Sequence, residues 1–187
     1  MNTTPKQLEE LDLATRFLAA LGCAAIELEA SDRPDVIVTL HGVRVGIEVT
    51  QFHADERLGS IGSPLRKAEV QLARKYPEAP HSMWGVPDPI PALVARISEK
   101  VEAALGYDES RYNELWLLIT AGIPRLDAIG ATLALPAFVE IEKLNQLTHA
   151  QLCDSVITQV YFHTILPRSL FGWNRNNKWH SVAVTQA

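Results

Sequence analysis

The sequence predicts an α/β domain in three layers, with a central mixed β-sheet flanked by helices. Three observations carry this. Segments of helical and strand periodicity alternate along the chain. Two β-branched runs around His41-Gly42 read as an antiparallel hairpin. Leu115 to Thr120 is a short, continuous apolar run of the kind found in strands buried on both faces.

The elements follow in order. Thr4 can cap a first helix, Pro5 suits its first position, and Gln7 completes a capping box. Leu8, Leu11, Ala14, Leu18 and Leu21 then form an apolar stripe, and Gly22 can end the helix. Ala25 to Glu29 is a short strand candidate. In the hairpin, a two-residue turn pairs Leu40 with Val43, and counting outward places Asp35 opposite Glu48. Side chains alternate along strands. Val36, Val38 and Leu40 therefore join Val43, Val45 and Ile47 on one apolar face. Asp35, Thr39, Arg44, Glu48 and Thr50 share the other with Ile37 and Gly46.

Pro64 to Lys75 has helical character but lies within a proline-rich surface excursion at about 54–90. Pro91 opens a second strong helix, with Leu93, Ile97, Val101 and Leu105 at four-residue spacing and Gly106 closing it. Pro136 to Leu147 is a further helix and Val156 to Leu166 a further strand. The tail from Phe171 to His180 is aromatic and basic.

A chain of 187 residues, 47% hydrophobic and 21% charged, reads as one domain spanning 1–187. Its net charge of -5 argues against a broad, non-specific nucleic-acid surface, though not against a local basic patch. Cys23 and Cys153 make no disulfide framework and lack the close neighbours of a structural zinc site, so a cytoplasmic setting is expected. No apolar run reaches membrane-spanning length and the polar N-terminus has no signal-peptide core, so no membrane association is expected.

The chemistry points to the hairpin. Opposed strand residues have Cβ atoms about 4.5–5.5 Å apart, where like charges repel. A divalent cation held by Asp35 and Glu48 would offset that repulsion.

Pro34-Asp35 at the start of one strand and Glu48-Val49-Thr50 on the next, in this element order, resemble the PD-(D/E)XK nuclease superfamily over roughly residues 5–120. The resemblance implies a restriction-endonuclease-like core and a metal-dependent nuclease that hydrolyses phosphodiester bonds of DNA or RNA. It implies Mg²⁺, or Mn²⁺, held by Asp35 and Glu48 with a first-helix glutamate, Glu10 or its neighbour Glu9. A homodimer is left open. The departure is Thr50, which stands where the superfamily carries a lysine that positions or activates water. A hydroxyl supplies no positive charge to a transition state.

Some members carry that lysine on the following helix, and Lys100, beside the Ile97–Val101 stripe, fits this, with Lys67 as a second candidate. Asp35, Glu48, Glu10 and Lys100 are thus the candidate catalytic residues, and Gln51 could orient water. Arg44 and the Arg66-Lys67 and Arg74-Lys75 pairs are further cations for an anionic substrate. The competing function is a catalytically inactive scaffold that binds nucleic acid or protein.

Plain structural roles compete with each residue. Asp35 and Glu48 would lie on a solvated edge face. Glu10 would be a first-turn glutamate favoured by the helix dipole. Lys100 would be solvated, His53 a loop histidine and His163 a core or edge histidine. Trp173, Arg175, Lys178 and Trp179 either stack on bases and grip phosphates or pack against the domain.

Overall fold

The first helix begins where its capping box puts it. In the computed structural model, which describes residues 3–23, 27–52, 90–121, 141–164 and 169–185, α1 spans Pro5–Ala20. Thr4 Oγ1 accepts from the Gln7 N–H, and the Gln7 side chain accepts from the Thr4 N–H. At the other end Gly22 takes φ +80°, and the Cys23 N–H reaches back to the Leu18 carbonyl at 2.8 Å. That is the left-handed Schellman stop for which glycine is suited.

The buried stripe is rotated from the expected one. Leu13, Ala14, Phe17 and Leu18 are buried, and Glu10 is buried with them, while Leu8 is exposed. Counting back from Phe17 by four and seven residues reaches Leu13 and Glu10, so Leu8 falls beside the seam.

The hairpin register agrees with the expectation. Strand β2 (Val36–Leu40) pairs antiparallel with β3 (Val43–Phe52), with Leu40 opposite Val43 and Val36 opposite Ile47. His41 and Gly42 both have positive φ, +50° and +82°, as a type I′ turn requires. β1 (Leu28–Ala30) pairs with β2; the first residues of the expected strand, 25 and 26, lie outside the described residues. Val43 is half-exposed rather than buried, because it follows the turn at the open end of the ladder.

Helix α2 (Ile90–Ala104) leads through a short 3₁₀ turn at Glu109–Arg111 to β4 (Glu114–Ala121), which lies parallel to β3. Leu105 falls in the turn after α2 and is exposed, so the buried stripe ends at Ala104 instead. Helix α3 (Ile141–Cys153) leads to β5 (Gln159–Thr164), parallel to β4. Strands β6 (Ser169–Asn174) and β7 (Lys178–Ser181) then add antiparallel. The seven strands follow chain order across one mixed sheet.

Alternation along β4 divides the core. Leu115, Leu117 and Ile119 pack with Leu93, Ile97 and Val101 of α2 and with Leu144 and Leu152 of α3. Trp116 and Leu118 pack on the opposite face with Leu13, Phe17 and Leu18 of α1. Helices on both faces of a mixed sheet make the three-layer α/β core.

The aromatic tail is the β6–β7 hairpin. Trp173 and Trp179 are 1% and 3% exposed, donating Nε1–H to His149 Nδ1 at 3.2 Å and to Thr148 Oγ1 at 2.9 Å. Arg175 donates to the Ser155 carbonyl. The tryptophans therefore belong to the core. The expected helix over Pro64 to Lys75, the excursion at 54–89, Lys67, the other basic pairs there and His53 lie outside the described residues, as do residues 136–140 at the start of the expected third helix. Among the described residues no helix is long and apolar enough to cross a membrane.

Candidate active site

β2 begins only at Val36, opposite Ile47, whereas β3 runs on to Phe52. Past that point the Val49 N–H has no β2 carbonyl to meet. Asp35, the residue just before β2, takes its place: Oδ2 accepts from the Val49 N–H at 2.9 Å. The approach depends on Gly46, since a Cβ there would lie 2.5 Å from Pro34 Cγ and 3.0 Å from Tyr112 Cδ1. Pro34, after a cis peptide bond, thus rests on the bare backbone of β3 and delivers Asp35 beside Glu48.

The notch where β2 stops is reached from both helical layers. A cavity of about 320 Å³ there is lined by Asp35, Glu48 and Thr50, by Lys6, Glu9 and Glu10 of α1, by Gln51 of β3, and by Lys100 of α2. Asp35 and Glu48 are only 5% and 6% exposed, so they do not lie on a solvated edge face.

Lys100 is not a solvated lysine: its Nζ lies 2.8 Å from Glu48 Oε1. Thr50 is buried at the cavity wall. Glu10 lies beyond the first turn of α1, so the helix dipole does not account for it. It pairs with Lys6 Nζ at 2.9 Å, and the same ammonium lies 3.8 Å from Asp35 Oδ1. Gln51 Nε2–H donates to Glu9 Oε1 at 2.8 Å.

Other candidates lie elsewhere. Arg44 pairs with Glu29 at 3.2 Å and does not line the cavity. His163 is buried beside Phe17, a core histidine. Two residues near the acids escaped the sequence reading. Lys6 has only its four-residue spacing from Glu10 to signal it. Tyr107, just after α2, carries no local signal.

The electrostatics follow from crowding acids in a buried notch. Burial, then the Glu48 charge, pushes the Asp35 carboxyl up to about 7, against the opposing Val49 hydrogen bond. Burial, then the Glu48 carboxylate, holds the Tyr107 hydroxyl above its ordinary range. The bond to Glu10 raises Lys6.

A divalent cation can be tested against these groups. Glu48 Oε2 is buried without a hydrogen-bond partner, and such an atom is costly unless something meets it. Among the described residues no group of three or more His, Cys, Asp or Glu is gathered as a metal cage. Mg²⁺ does not need one: it keeps several waters and is commonly bound through one or two carboxylates plus substrate phosphate. Asp35 and Glu48, both hard oxygen donors, fit that pattern. Comparison with family models, curated proteins and solved structures finds no match.

Proposed function

We propose that this protein is a metal-dependent nuclease hydrolysing phosphodiester bonds of nucleic acid, on a restriction-endonuclease-like core. One observation carries the reading: two buried carboxylates, Asp35 just before β2 and Glu48 on β3, share a cavity with an ammonium group, Lys100, that α2 brings to 2.8 Å from Glu48. Asp35 and Glu48 would hold Mg²⁺ or Mn²⁺, with Glu10 at the same cavity wall. When bound, the ion would polarise a phosphate and lower the pKa of its water.

The chain supplies the rest. Lys100 provides the fixed positive charge that Thr50 cannot. Its anchoring to Glu48 keeps the charge at the carboxylate pair, where negative charge develops on the phosphate. Asp35 gives up its proton when the cation binds, because a ligand must be deprotonated. Gln51, fixed on Glu9, presents an amide that can orient water. The reading places the work in the cytoplasm, where Cys23 and Cys153, both free, stay reduced.

A specific observation favours a second reading, an inactive nuclease-like scaffold that binds nucleic acid or protein. Lys6 and Lys100 already pair with Glu10 and Glu48, so the acids have counter-ions of their own. Incubation of wild type with labelled DNA and RNA, each with Mg²⁺, Mn²⁺ or EDTA, separates the two. Cleavage that EDTA abolishes and Glu48→Gln lacks supports the nuclease. Binding without cleavage under every condition supports the scaffold.

A further inference from the structure

The two cavity lysines are held differently. The Lys100 side chain is 19% exposed, and its ammonium lies 2.8 Å from Glu48 Oε1. The Lys6 side chain is 78% exposed, yet its ammonium reaches inward to carboxylates that are 10% exposed at Glu10 and 7% at Asp35. A lysine reaching in from solvent holds its pair weakly and regains rotamer freedom on leaving. A divalent cation on Asp35 and Glu48 would repel an ammonium 3.8 Å from Asp35 Oδ1. One of the two must yield, and Lys6 is the one with an open route to solvent. Glu48 Oε2, buried without a partner, is the acceptor left for the incoming ion.

We propose that Lys6 is an exchangeable counter-ion of the metal site: it neutralises Glu10 beside Asp35 in the metal-free protein, swings out when a divalent cation binds, and then meets a substrate phosphate at the cavity rim. The inference rests on the metal-dependent reading above. It gives the chain a built-in competitor that sets the metal concentration at which the site fills. It also places a cation at the mouth of a cavity that must admit a polyanion to a protein of net charge -5.

Calorimetric titration with Mn²⁺ tests it on wild type, Lys6→Met, Lys6→Arg, Arg44→Met and Glu48→Gln. Removing the competitor in Lys6→Met should tighten binding about tenfold, the scale of one charge acting on a divalent ion across a few ångströms of water-like dielectric. Lys6→Arg should bind more weakly than wild type, because a guanidinium grips a carboxylate through two hydrogen bonds. Arg44→Met should match wild type, since its pair with Glu29 lies outside the cavity. In protein with ¹⁵N-labelled lysine side chains, the Lys6 ammonium signal should move toward that of a free lysine as Mg²⁺ saturates the site. At saturating metal, Lys6→Met should raise KM for nucleic acid more than it lowers kcat.

Equal Mn²⁺ affinity in wild type and Lys6→Met, with Glu48→Gln still losing binding, overturns the exchange and leaves the metal site standing. So does a Lys6 signal that metal leaves unmoved. An unchanged KM in Lys6→Met removes the contact with phosphate. Absence of Mn²⁺ binding in wild type and Lys6→Met alike overturns the metal site itself.

Discussion

At the scale of single residues, Asp35 carries most of the electrostatic tension. Its carboxyl is raised to about 7, first by burial and then by Glu48. An unfolded chain releases that proton near about 3.9. The folded state thus binds more protons across this window. The stability Asp35 contributes is fully present below about pH 4 and is lost as pH rises through about 7. Asp35→Asn keeps an oxygen for the Val49 N–H but has no proton to lose. In urea titrations, wild type should weaken relative to Asp35→Asn between about pH 4 and about pH 7; parallel curves would contradict the buried pair. The same proton must leave on metal binding, so apparent Mn²⁺ affinity should fall by up to about tenfold per pH unit below 7. Affinity flat from about pH 5 to about pH 8 would place the ion elsewhere. Asp35 and Glu48 were legible because a two-residue turn fixes register and strand alternation fixes face. Lys100 was legible from its place beside a buried stripe. Lys6 was not, since a lysine in the first turn of a helix looks solvated until the notch beyond β2 brings Asp35 to it.

At the scale of elements, the early end of β2 makes the site. β3 outruns β2, Asp35 closes the open hydrogen bond, and side chains from both helical layers enter the gap. Gly46 is the hinge of this arrangement. Gly46→Ala would drive a methyl into Pro34 and Tyr112 and should cost about 1–3 kcal/mol, as overpacking does. Because Pro34 leads directly to Asp35, the variant should also bind Mn²⁺ more weakly at a temperature where it remains folded. Destabilisation with unchanged Mn²⁺ affinity would show that Pro34 does not position Asp35. The hairpin turn was readable from His41-Gly42. The β6–β7 turn was not, because Lys178 takes its positive φ without a glycine to mark it. For Trp173 and Trp179 the sequence left base stacking and packing on the domain both open, and indole hydrogen bonds to His149 and Thr148 settle it by sealing them in the core.

At the scale of the whole molecule, one sheet separates two apolar cores, and β4 contributes to both. Leu117, fully buried between β4 and the α2–α3 layer, should cost about 2–5 kcal/mol on truncation to alanine. Urea unfolding followed by tryptophan fluorescence and by far-ultraviolet circular dichroism should give coincident transitions, because neither layer can leave without exposing β4. Separated transitions would mean that the cores unfold independently. The order of helices and strands was legible as far as β5, since periodicity reports which face is buried, while β6 and β7 read only as an aromatic, basic tail. The distribution of charge was not, because net charge says nothing about two lysines converging on four carboxylates in one cavity. That convergence is the central claim. It is tested most directly by single-turnover cleavage of labelled nucleic acid with Mg²⁺, comparing wild type with Lys100→Ala and following Mn²⁺ binding in both. Lys100→Ala should cleave about 10²–10³ times more slowly, the loss typical of one transition-state electrostatic donor, while still binding Mn²⁺. Wild-type cleavage that Lys100→Ala leaves unchanged, or no cleavage of any DNA or RNA by wild type, would contradict it.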